Sequence, residues 1–264
     1  MIGQKTLKQT LVNLLKNDSF PRFVILVGET GSGRKTLVHE VFDCLITEYE
    51  IGIDGIRQMI AEAHRMSGVP SVYLIPDADT MSVQAKNALL KVTEEPPRNA
   101  YVIMTLSDLN NTLDTIKSRA TVFQMEQYSP QEITQYSEEV YGENNDIYRD
   151  LCSTPGEVDL LYSFGAEDFY EYVRKVAQNI SEVSLANALK ISSQLAIKDN
   201  GGYDLGMFWK AFLKASMDMK DYQRIQPTTQ SLSRLKKIKG INKQMLFDTW
   251  LFDIRSIDNG DSGT

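Results

Sequence analysis

Phe23-Val24-Ile25-Leu26-Val27-Gly28-Glu29-Thr30-Gly31-Ser32-Gly33-Arg34-Lys35-Thr36-Leu37 is the stretch whose reading decides the fold. Five consecutive apolar residues, with Pro21 before them and Gly28 after, predict a strand buried on both faces. A glycine-rich loop and a helical pattern follow. A loop of this kind cradles phosphate: glycines let backbone N–H groups approach the oxygens, and the helix N-terminus adds partial positive charge. Gly28 and Gly33 keep the spacing of the phosphate-loop pattern G-x-x-x-x-G-K-[ST], with Gly31 between them. The next two positions depart from it. Arg34 stands where lysine is required, and Lys35 where the magnesium-binding Ser or Thr is required. Lys35 and Thr36 match only if the loop carries one extra residue. The architecture of a phosphate loop is therefore expected, and useful hydrolysis by this chain alone is not. A plain glycine-rich turn joining strand to helix stays open at this point.

Around that core the signals alternate. A helix is predicted over 6–15, with Leu7, Leu11, Leu14 and Leu15 on one face. The helix after the loop is predicted over 36–47, and a further one over 55–66 capped by Asp54. Further strands are predicted over 71–75, 101–105 and 121–125, which with 23–27 makes four. Between them lie a helix from Ser82 stopped by Pro96-Pro97 and a short helical piece over 115–119. Strands alternating with helices argue for a parallel α/β sheet covered on both faces. After Pro130 the strand signals stop. Short helices are expected over 131–140, 147–152 and 157–164, and everything from Ala166 reads as helical, with a break at Asp199-Asn200-Gly201-Gly202 and a frayed end.

Composition narrows the function. The 264 residues leave room for one large domain or two to three small ones. A net charge of −7 argues against free-standing, non-specific nucleic-acid binding, which needs a basic surface. One local cluster, Arg234, Lys236, Lys237 and Lys239, would suit nucleic acid, but short charge runs are usually solvated helix faces. Cys44, Cys152, His39 and His64 are scattered, so neither a disulfide framework nor zinc spacing is present. No apolar run approaches the ~20 residues of a membrane helix. Residues 1–5 lack a signal-peptide core, so a cytoplasmic chain is expected.

Several motifs then agree in order and spacing: Ile2-Gly3-Gln4, the loop from Gly28 to Thr36, Asn87-Ala88-Leu89-Leu90-Lys91 with Glu94-Glu95-Pro96-Pro97, and Thr115-Ile116-Lys117-Ser118-Arg119-Ala120. Over roughly the first 125 residues the chain resembles the bacterial clamp-loader AAA+ family, most like its DNA polymerase III delta-prime branch. The Asn-Ala-Leu-Leu-Lys and Ser-Arg elements are specific to that family; the glycine loop is not.

The resemblance implies a RecA-like (P-loop AAA+) parallel α/β domain over 1–126. A helical lid over 127–164 and an all-α collar over 165–264, used for oligomerisation, would follow. It implies a subunit that helps load the sliding clamp onto primed DNA within a hetero-oligomeric ring of other clamp-loader subunits. Arg119 would be an arginine finger acting on a neighbour's ATP. Gly28, Gly31, Gly33, Arg34, Lys35 and Thr36 would form a degenerate nucleotide site, with Asp77 as its Walker B-like acid. ATP or ADP would bind without efficient turnover, and no zinc or membrane would be involved. The departures bear on activity. Pro76 replaces the family's first Walker B acid, the cysteine zinc module is missing between Thr36 and Ser71, and the turn Thr154-Pro155-Gly156 has no arginine two or three residues on. The alternative is an active AAA+ ATPase, a motor-type clamp-loader subunit or a helicase loader. In the collar, Phe208, Trp209, Phe212, Phe247 and Trp250 would form core and in part face partners.

Overall fold

The structure, a computed structural model, describes residues 2–65, 70–97, 99–180, 182, 187, 204–238 and 240–258. It divides into two compact units, Met1–Tyr136 with Thr154–Gly156 and Ser137–Ser153 with Glu157–Thr264.

In the first unit β1 (Phe23–Val27), β2 (Leu45–Glu48), β3 (Ser71–Ile75), β4 (Ala100–Leu106) and β5 (Thr121–Gln124) form one sheet in the order β2-β3-β4-β1-β5. Every pairing is parallel, and β1 lies between β4 and β5 with Ile25 opposite Met104 and Val122. Parallel strands need crossovers, and the crossovers put helices on both faces. Side chains alternate along a strand, so β1 feeds two cores. Phe23, Ile25 and Val27 pack with Ile56, Met59 and Ala63 of α3 (Ile53–Arg65) and Ala85, Leu89 and Val92 of α4 (Val83–Glu94). Val24 and Leu26 pack with Leu7 and Leu11 of α1 (Lys5–Lys16) and Leu37, Val38 and Val41 of α2 (Arg34–Val41). Ser82 caps α4, its Oγ accepting the Ala85 N–H at 3.2 Å. The short α5 (Asp114–Lys117) precedes β5.

One expectation is corrected. The helix predicted over 36–47 ends at Val41, Phe42 is extended, and Leu45–Glu48 forms a fifth strand paired with β3 from Leu45↔Ser71 to Glu48↔Leu74. Apolar spacing in so short a run does not separate helix from strand. The free edge of β3 decides, and β-branched Ile46 and Thr47 suit it. Leu45 is exposed, so its apolar side chain does not mark a buried helix face. Asp54 also differs from expectation: α3 starts at Ile53, so Asp54 lies in its first turn, where its charge suits the helix dipole.

The second unit is helical. The helices that follow β5 are α6 (Pro130–Tyr141), α7 (Asp146–Leu151), α8 (Pro155–Phe164), α9 (Ala166–Asn179), α10 (Leu205–Asp218), α11 (Ile225–Lys237) and α12 (Lys243–Asp258). Phe208, Trp209 and Phe212 of α10 meet Phe247 and Trp250 of α12, and the Trp250 indole donates to Thr228 Oγ1 at 2.9 Å. All five aromatics are buried, which corrects the expectation that some face partners; the exposed apolar residues of α12 are Met245 and Phe252. An aromatic ring buries more apolar area than any aliphatic side chain, so the interior claims it first. The break at 199–202, Lys239, Met66 and the frayed end after 258 lie outside the described residues.

Leu89 is fully buried and Val83, on the same helix, is 59% exposed. Leu89→Ala should cost about 2–5 kcal/mol through lost transfer energy and a cavity, and Val83→Ala less than about 0.5 kcal/mol. Urea unfolding of the two variants checks this; equal losses would contradict the two-layer packing.

Candidate functional site

The glycine loop sits at the C-terminal end of β1, where a parallel sheet places its ligands. Gly28 donates its N–H to the Leu106 carbonyl at 3.0 Å, continuing the β1–β4 ladder one residue past the strand. Gly31 and Gly33 have φ of +80° and +84°, which glycine adopts without strain. Gly33 caps α2, its carbonyl accepting the Leu37 N–H at 2.8 Å. Three successive loop carbonyls are held from outside the loop. Thr30 accepts from Thr154 Oγ1 at 3.2 Å, Gly31 from the Gly156 N–H at 2.9 Å, and Ser32 from the Tyr128 hydroxyl at 2.7 Å. Gly156 comes so close that a Cβ there would lie 2.6 Å from Gly31 Cα.

Charge at the loop is spent internally. Arg34 Nη2 lies 2.6 Å from Asp77 Oδ1; the arginine side chain is 5% exposed and the carboxylate 67%. Arg34 Nη1 is buried and has no hydrogen-bond partner among the described residues. Asp77 follows Pro76 with φ +49° and donates its N–H to Thr105 Oγ1 at 2.9 Å. Lys35 Nζ turns to Glu48 Oε2 on the edge strand, 2.6 Å away, and with His39 holds that carboxyl below its usual range. Thr36 is exposed. Gly28, Gly31, Gly33 and Arg34 thus meet at the loop with Asp77, while Lys35 and Thr36 lie on the outside of α2. The magnesium positions do not fit: Lys35 and Pro76 offer no oxygen ligand, and Asp77 is committed to Arg34.

Behind Asp77, Asp79 accepts from the Ser107 N–H, the Ser107 hydroxyl at 2.7 Å and Asn111 Nδ2 at 2.6 Å. Burial pushes this carboxyl up, and the hydrogen bonds outweigh it and hold it below the usual range. Asp79, Thr105 and Tyr128 escaped the sequence reading, because their partners lie far along the chain. The glycine of Thr154-Pro155-Gly156 was the one local signal of a close approach.

Arg119 follows α5. Its Nη1 donates to the Thr115 carbonyl at 2.8 Å and its Nη2 to Glu94 Oε1 at 2.7 Å. Leu89, at the centre of the Asn-Ala-Leu-Leu-Lys segment, is core.

Residues 46–129 match the family described as DNA polymerase III, delta subunit. Over 155 residues the chain is 26% identical to a DNA polymerase III subunit gamma/tau of Mycoplasma genitalium, covering 46% of this chain and 26% of that protein. Over 71 residues it is 35% identical to a DNA polymerase III subunit delta' of Yersinia pestis, covering 26% of this chain and 21% of that protein. The chain therefore spans about a quarter or less of the length of these relatives. Its fold is similar to the crystal structure of a DNA polymerase III gamma-subunit-related protein of Thermotoga maritima, with a TM-score of 0.54 at 18% identity over 94% of this chain and 98% of that one. Among the described residues no helix is long and apolar enough to cross a membrane, and no group of three or more His, Cys, Asp or Glu side chains is arranged to hold a metal ion.

Gly156→Ala should push the Thr154–Gly156 turn off the loop, because the added Cβ meets backbone rather than a movable side-chain tip. The expected loss is about 1–3 kcal/mol, with faster amide exchange at Gly31 and Ser32. Unfolding and hydrogen exchange measure both; an unchanged exchange rate would show that the turn does not hold the loop.

Proposed function

We propose that this chain, whose AAA+ module is of the bacterial clamp-loader family, serves as a delta-prime-like subunit of the DNA polymerase III clamp loader. In this role it helps load the sliding clamp onto primed DNA. It sits in a hetero-oligomeric ring with other clamp-loader subunits and supplies Arg119 to a neighbour's ATP site. Residues 1–126 form the RecA-like domain, 127–164 the lid and 165–264 the collar through which the ring assembles. Its place is the cytoplasm, with the replication machinery.

One observation carries this reading: the chain spends its own loop arginine on its own acid, through the 2.6 Å contact of Arg34 with Asp77. Phosphoryl transfer rests almost wholly on positioning and charge neutralisation. A magnesium–nucleotide would supply the reacting phosphate and the cation, and the two positions where the pattern places the cation's oxygen ligands carry Lys35 and Pro76. The loop glycines and Arg34 hold ATP or ADP without efficient turnover. Arg119 has a different standing. Of the five N–H donors of a guanidinium, two are engaged, and the other three have no partner among the described residues. Its side chain is 34% exposed and available to a neighbour. The match to gamma/tau proteins over more of the chain than to delta' favours a second reading, an active AAA+ ATPase of the motor type or a helicase loader.

Turnover by the isolated chain separates the two. It should lie well below the roughly 1 s⁻¹ at the low end of ordinary enzymes, and turnover at or above that would favour the motor reading. Arg119→Ala should leave folding and assembly intact, since exposed substitutions usually change stability by less than about 0.5 kcal/mol, and should lower the DNA- and clamp-stimulated ATPase of the whole complex. Fingers supplied by a partner are worth about 10³–10⁵ in GTPases; a ring with several sites should lose less. An assembled mutant complex with unchanged ATPase would remove the finger role.

A further inference from the structure

Glu94 is the last residue of α4, followed by Glu95 and the two prolines that stop the helix. A carboxylate at a helix C-terminus faces the negative end of the dipole, so Glu94 sits where its charge is unwelcome to its own helix. What it touches is Arg119, Nη2 to Oε1 at 2.7 Å, while Nη1 is pinned by the Thr115 carbonyl. Both members of the pair are partly in solvent, 34% exposed for the arginine and 54% for the glutamate. Such a pair is weak. It fixes a direction for the guanidinium without committing it, and a polyphosphate, with more charge and a bidentate geometry, can take the arginine away.

We propose that Glu94 is a positioning residue for Arg119: it parks the guanidinium while the neighbouring site is empty and competes with incoming nucleotide for it. This rests on the finger reading of Arg119. Before the guanidinium reaches a neighbour's phosphates, the Nη2–carboxylate contact opens, while the Thr115 contact on Nη1 can persist. Glu94 therefore raises the nucleotide concentration at which the finger engages, and leaves the chemical step untouched once it has.

The test is the ATPase of the whole clamp-loader complex, with the ATP KM and kcat measured for wild type, Glu94→Gln, Arg119→Ala and the double variant. Glu94→Gln keeps the shape and removes the charge. It should lower KM by about two- to five-fold, the range of an exposed ion pair, with kcat unchanged. Glu94→Ala, which removes the acceptor as well, should shift KM in the same direction. In the Arg119→Ala background neither change should appear, because the two residues act as one unit. A KM that stays the same or rises, or a shift that persists without Arg119, overturns the role of Glu94 and leaves the finger standing. Wild-type KM and kcat in Arg119→Ala overturns the finger and the parking role together.

Discussion

The structure depends on one constraint: β1 must be buried on both faces. Five apolar residues in a row give a strand no solvent side, so it takes the interior of a parallel sheet, between β4 and β5. Parallel neighbours require crossovers, and the crossovers supply α2 over one face, where α1 joins it from the N-terminal side of β1, and α3 and α4 over the other. The glycine loop must then emerge at the C-terminal edge of the sheet, beside the ends of β3 and β4. That is why Asp77, after β3, and Thr105, at the end of β4, come to lie around it although they are remote in sequence.

At that edge the chemistry departs from what the architecture would allow. A phosphate loop concentrates N–H dipoles and a cation so that an anion completes the set. Here a carboxylate of the same chain answers the cation. The carbonyl side of the loop is tied down by Thr154, Gly156 and Tyr128, so the loop is held from one flank and neutralised from another. A guanidinium nineteen-twentieths buried would be costly without a partner, and Asp77 offsets that cost, though its own exposure limits what the pair contributes. Arg119 differs in setting: its side chain is about a third in solvent and its carboxylate partner, Glu94, is more exposed still. Burial separates the two arginines, Arg34 inside the structure and Arg119 near its surface.

Much of this was legible in the chain itself. Hydrophobic runs and their lengths determined β1, β3 and β4, because a strand buried on both faces has an unmistakable composition, while β5, an exposed edge strand, showed only in its β-branched and aromatic residues. Ser82 and Pro96-Pro97 determined the limits of α4 through a cap and a missing donor. The spacing of Gly28, Gly31 and Gly33 determined that a loop follows β1, and the residues at 34, 35 and 76 already departed from a metal site. Only the tertiary structure decided the rest. Leu45–Glu48 is a strand because β3 has a free edge there, and nothing local outweighs a helix at that point. The five aromatics of α10 and α12 face one another because the second unit needs them as its core. The partners of Arg34, Gly156, Tyr128 and Glu94 are set by contacts between residues tens of positions apart. A sequence records what each residue offers its neighbours within a turn or a pleat. Which carboxylate meets which guanidinium depends on where the folded backbone brings distant segments together.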